Sequence, residues 1–70
     1  MSAYFVEVTK LNGMHTFFGA DMEELFYPIE KLNTEWGFKN HYSAEQALPQ
    51  VNVTLSTYSA AVLKTEIIEV

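Results

Sequence analysis

Cysteine is absent from the 70 residues, and with it go disulfides, thiolate metal sites and thiol nucleophiles. Arginine is absent too; four lysines stand against nine acids, a net charge of −5. Arginine supplies the bidentate fork that phosphate and guanine contacts use most, and four scattered lysines form no cation-dense stripe, so direct nucleic-acid binding is not expected. No apolar run approaches the ~20 residues of a membrane-spanning helix. The opening MSAYFVEV lacks a basic region followed by a continuous apolar one, so it does not read as a secretory signal, and a cytoplasmic location is expected. The Asn52-Val53-Thr54 glycosylation sequon is then accidental.

What is present is apolar and aromatic: 49% hydrophobic and 14% aromatic residues, well above what a disordered chain carries. One domain over residues 1–70 is expected. A chain this short buries only about 60% of the surface it exposes when unfolded. With disulfides excluded, dense aromatic packing or self-association must compensate.

Asn12-Gly13, set between two alternating segments, predicts a β-hairpin. A two-residue loop would place Lys10 opposite His15 and Val8 opposite Phe17, with Tyr4, Val6, Val8 and Phe17 on a core face. Phe5, Glu7, Thr9, Thr16 and Phe18 would share a mixed, half-exposed face. From Asp21, a helix cap by its spacing to Glu24, the residues Met22, Leu25, Phe26, Ile29, Leu32 and Trp36 recur at helical spacing. They predict an amphipathic helix ended by a left-handed Gly37, with a kink or a fresh start at Pro28.

Ser43 and Gln46 have the spacing of a second, short cap that Pro49 would stop within two turns. Val51, Val53 and Leu55 alternate as a strand, residues 57–60 read as a turn, and the last ten residues read as a strand, with a helix as the alternative. The fold class is therefore α+β: an antiparallel sheet of about four strands in the order β-β-α-(α)-β-β, with one amphipathic helix packed on one face.

Chemistry is sparse. His15 and His41 have no spacing that converges them on a metal, no G-x-S-x-G turn presents a nucleophile, and no glycine-rich loop cradles a phosphate. Neither catalysis nor a metal or other cofactor is expected. Two surfaces remain as binding candidates. The outer face of the expected helix carries Glu23, Glu24, Tyr27, Glu30 and Glu35, an electronegative patch suited to a basic partner. The connector WGFKNHY offers Trp36, Phe38, His41 and Tyr42, either as a lid on the core or as an interface, since Trp and Tyr are enriched in hot spots.

In size, acidity and lack of cysteine the chain resembles the small inhibitors that bacteriophages and mobile elements direct against host proteins. The resemblance is one of type and rests on no motif. It implies a stoichiometric, non-catalytic binder that occludes a partner's surface, such as a basic nucleic-acid-binding one. The alternative is a homo-oligomeric structural protein, down to a homodimer.

Overall fold

The computed structural model describes residues 2–25, 27–58 and 62–70, and for 53–58, 62 and 63 the backbone alone. A four-stranded antiparallel sheet is built from β1 (Tyr4–Lys10), β2 (His15–Phe18), β3 (Glu24–Leu25) and β4 (Val62–Glu69) in the order β3-β2-β1-β4. One α-helix, α1 (His41–Tyr58), packs against β1 and β4. The α+β class, the antiparallel sheet and the single helix covering one face are as the sequence predicts. The helix, however, is not the segment expected.

The hairpin forms at Asn12-Gly13 with a register one residue away from the expected one. Lys10 N–H donates to Met14 O at 2.9 Å and Gly13 N–H to Lys10 O at 2.9 Å, with Gly13 at φ +86°. This is a three-residue loop, Leu11-Asn12-Gly13, whose left-handed glycine makes a bulge, and Asn12 Oδ1 accepts from Met14 N–H at 3.0 Å. Val6 consequently faces Phe18, Glu7 faces Phe17, Val8 faces Thr16 and Thr9 faces His15. Because side chains alternate with period two, the slip exchanges Phe17 and Phe18 between faces.

Each face then has its own apolar cluster. On one, Val6, Val8 and Phe18 pack with Phe38 and with Ala44 and Val51 of α1. On the other, Phe5 and Phe17 pack with Ala3 and Leu32, flanked by Leu25 and Ile68. The face expected to be half exposed is thus buried around Phe5 and Phe17, and polar only toward the turn, where Thr9 Oγ1 and His15 Nδ1 lie 3.2 Å apart.

The helix expected from Asp21 to Trp36 does not form. Residues 24–25 are taken as an edge strand by β2, and two isolated 3-10 turns follow, Ile29–Lys31 and Thr34–Trp36. Pro28 cannot donate to the Glu24 carbonyl, and it caps the first turn instead. Asn33 caps the second, its Oδ1 accepting from Glu35 N–H at 2.9 Å. The expected apolar stripe is dispersed: Met22 joins the helix-side cluster, Leu25 and Leu32 the opposite one, and Ile29 and Trp36 are exposed. Phe26 lies outside the described residues. The segment is a strap across the sheet.

Gly37 is extended (φ −83°, ψ 167°), not left-handed. Its need is space: a Cβ there would lie 2.7 Å from the Ala3 Cβ and 3.0 Å from the Phe5 ring. Gly19 is held to the same rule, since its Cβ would run into the Trp36 carbonyl oxygen. That carbonyl accepts from Ala20 N–H at 2.8 Å, and Phe38 exchanges backbone bonds with Tyr4 at 2.8 and 3.0 Å. The chain from Trp36 to Phe38 thereby extends the sheet beside β1 where β2 has ended.

The helix lies later, over residues expected to be a short helix, a proline stop and a strand. Asn40, not Ser43, is its cap: Asn40 Oδ1 accepts from Ser43 N–H at 2.8 Å. Ala44, Ala47, Leu48 and Val51 follow the i, i+3, i+4, i+7 pattern and face the sheet. Pro49 sits inside the helix; it deprives the Glu45 carbonyl of its intrahelical donor, and both residues are exposed to water. Of the expected turn over 57–60, residues 57 and 58 are helical and 59 and 60 lie outside the described residues. The last segment is a strand, β4, which settles the strand-or-helix alternative.

Candidate functional site

The strap leaves a cleft of about 550 Å³ at the β3 end of the sheet, lined by Gly19, Asp21, Glu23, Glu24, Leu25, Tyr27 and Trp36. Its construction follows from the local sequence. Met22 N–H donates to Gly19 O at 2.9 Å, closing a turn that carries the chain from β2 into β3, with Met22 itself in the left-handed region at φ 60°. That turn presents Asp21 and Glu23 to solvent, and among the described residues neither acid has a cationic partner. Glu24 is engaged: Lys10 Nζ donates to its carboxylate at 3.0 Å across β2.

The aromatic wall has two parts. Tyr27 leaves β3 and Trp36 ends the second 3-10 turn, and their ring centroids stand 5.8 Å apart with the planes tilted by 39°. Tyr27 is 50% and Trp36 37% exposed, so π-surface remains open to a ligand. Tyr27 is followed by Pro28, which excludes it from a helix continuing β3, and Trp36 is fixed through the hydrogen bond between its carbonyl and Ala20. Carboxylates beside open aromatic faces have the chemistry to attract a cation. The carboxylates supply charge, and the ring quadrupoles add about 0.5–2 kcal/mol depending on desolvation.

The two surfaces read from the sequence are thus recombined. Glu23, Glu24 and Tyr27 of the acidic set meet Trp36 of the aromatic set in one cleft. Glu35 turns elsewhere, to a second hollow of about 380 Å³ with Thr34, Phe38 and Lys39, and Glu30 lines neither. The helical carrier assumed for the acidic face is corrected, because those residues sit on a strand edge and two 3-10 turns.

The connector is divided in the same way. Phe38 is buried in the helix-side core. His41 packs edge-on against Tyr4, ring centroids 5.8 Å apart, and lies 3.0 Å from Glu45. Tyr42 is 68% exposed and lines neither hollow. Asp21 and Leu25, assigned by the sequence to a cap and a core stripe, and Gly19, assigned to neither binding surface, are the cleft residues that sequence reasoning missed. The signal that could have found Asp21 is Gly19 two residues before it, which marks a close chain approach rather than a helix start.

Among the described residues no group of three or more His, Asp or Glu is arranged to hold a metal ion, and no helix is long and apolar enough to cross a membrane. Compared with known proteins, the chain matches no family model, no curated protein and no solved structure.

Proposed function

We propose that this chain is a non-catalytic, cytoplasmic protein-binding module whose partner presents a basic surface, and that a lysine or arginine side chain of the partner enters the cleft between Tyr27 and Trp36. The observation that carries the reading is the conjunction of two acids without a cationic partner among the described residues, Asp21 and Glu23, with an exposed aromatic pair in one hollow. The net charge of −5 supports it from a distance, since a small protein with an excess of acids steers toward a basic partner. Binding there is stoichiometric occlusion: the partner's cation is covered together with whatever surface surrounds it. Such a surface on a nucleic-acid-binding protein would make this chain an inhibitor or modulator of that partner, in the manner of phage-type inhibitors.

Trp36 is the sole tryptophan, so its fluorescence reports on the cleft directly. Titration with the capped single residues N-acetyl-arginine amide and N-acetyl-lysine amide is expected to shift Trp36 emission with a Kd on the order of 10–100 mM, the strength of one cation–π contact and two exposed ion pairs. N-acetyl-glutamate amide should leave it unchanged. Glu23→Lys should abolish the response without changing the fold by circular dichroism. An emission spectrum indifferent to both cations up to about 100 mM would remove the cleft from consideration.

A further inference from the structure

The sheet ends in two unlike edges. β3 has two residues and is followed directly by the strap, whereas β4 has eight and, among the described residues, no strand pairs with its outer side. The pairing with β1 fixes which backbone groups are free. Ala3 and Val70 exchange both backbone bonds, at 3.1 and 2.8 Å, so along the β1–β4 ladder alternate residues of β4 point their N–H and C=O groups at β1. Those of Thr65, Ile67 and Glu69 point outward. The ladder is regular from Lys64 onward, past the shift between Thr9 and Lys10. An edge of this length with open amides is a template for another strand.

We infer that β4 pairs antiparallel with β4 of a second copy, about a two-fold axis through Thr65, giving a continuous eight-stranded sheet. The side chains select both the occupant and the register. A two-fold normal to the sheet keeps each face with itself, so residues of equal parity face one another. Lys64 and Glu66 share one face, opposite Thr9 and Glu7 of β1, and are 60% and 48% exposed. Centring on Lys64 sets lysine against lysine, and centring on Glu66 sets acid against acid. Centring on Ile67 leaves both charges facing apolar residues, Ile68 and Val70. Only the axis through Thr65 places Lys64 of each copy opposite Glu66 of the other, twice, while Thr65 bonds its own symmetry mate through outward groups. The internal Lys64–Glu66 contact of 3.2 Å then joins a four-charge array.

Self-association also supplies what a cysteine-free chain of this size otherwise lacks. The cleft lies at the opposite end of the strand order and stays open in such a dimer, so this inference stands apart from the function proposed above.

Sedimentation equilibrium of the whole chain tests it. The wild type is expected to approach twice its 8.0 kDa mass with rising concentration. A mass of 8.0 kDa at every concentration up to about 1 mM overturns the inference. Lys64→Glu and Glu66→Lys should each weaken the dimer roughly 10- to 30-fold by turning two attractive pairs into repulsive ones, and the double exchange should restore it. A dimer unaffected by either single exchange rejects this pairing. Thr65→Pro removes an N–H that points away from β1, so it should leave the circular dichroism of the fold intact and abolish association. Association that survives the proline rejects the β4 edge altogether.

Discussion

The two faces of the sheet are covered by different kinds of structure. On one, α1 lays four regularly spaced small and aliphatic residues, Ala44, Ala47, Leu48 and Val51, over Val6, Val8 and Phe18. On the other, among the described residues, an irregular strap packs Leu32 against Phe5 and Phe17, flanked by Leu25 of β3. A helix satisfies its own backbone and so distributes its hold on the sheet over many positions. Among its described residues, the strap of 3-10 turns depends on a few fixed points: the apolar anchor Leu32, two caps, and two places where only glycine lets the chains touch. The cleft is built from the strap, not from the helix. The layer with least redundancy is the one that carries the candidate site.

The sharpest way to break this contrast is at the strap's anchor. Leu32→Ala is expected to lower stability by about 3 kcal/mol, as buried leucine truncations do. It should also move Trp36 emission to the red under native conditions, because the strap loses its hold. Val51→Ala, on the helix face and also fully buried, should lower stability in chemical denaturation while leaving Trp36 emission where it is. Equal spectral shifts in the two variants would mean the layers are not independent.

The helix layer has a defect that can be repaired. Pro49→Ala restores the donor for the Glu45 carbonyl at an exposed site and should raise the denaturation midpoint by an amount equivalent to about 1–3 kcal/mol. No gain would show that the helix has already adapted to the proline. Gly19→Ala should cost about 1–3 kcal/mol, since its Cβ meets the Trp36 backbone and the strap must shift. It should weaken the response of Trp36 to arginine more than its stability loss alone explains. The smallest effect is expected at Thr16, whose hydroxyl is fully buried on the helix-side face with no hydrogen-bond partner among the described residues. Thr16→Val should stabilise by up to about 1 kcal/mol, readable as a small rise in thermal midpoint.

The candidate site was half legible. The sequence groups Glu23, Glu24 and Tyr27 with Glu30 and Glu35 on a helix that does not form, and it sets Trp36 apart in the connector; the cleft joins the first three to Trp36 and leaves Glu30 and Glu35 out. Those four meet because Gly19 and Ala20 admit the Trp36 backbone, an approach between residues 17 positions apart in sequence that periodicity does not encode. The helix over 41–58 was obscured for a related reason. Val51 satisfies both a two-residue alternation with Val53 and a helical spacing with Ala44, Ala47 and Leu48, and Pro49 reads as a helix stop.

What the sequence determined by itself is local. Asn12-Gly13 specifies a hairpin because one of its residues must be left-handed, whereas the segment after residue 61 reads as strand or helix until its pairing with β1 makes it a strand. The absence of arginine and cysteine bounds the chemistry without any fold at all. Tertiary structure decided the rest where local preferences were balanced. The hairpin took the three-residue loop that puts Phe18 under α1 and Phe17 under Leu32. Residues 21–36 gave up a helical stripe because β2 offered Glu24 and Leu25 a strand partner, and the open face of Phe5 and Phe17 offered Leu32 a burial site. Both are non-local gains larger than the few tenths of a kcal/mol per residue that separate helix from extended chain.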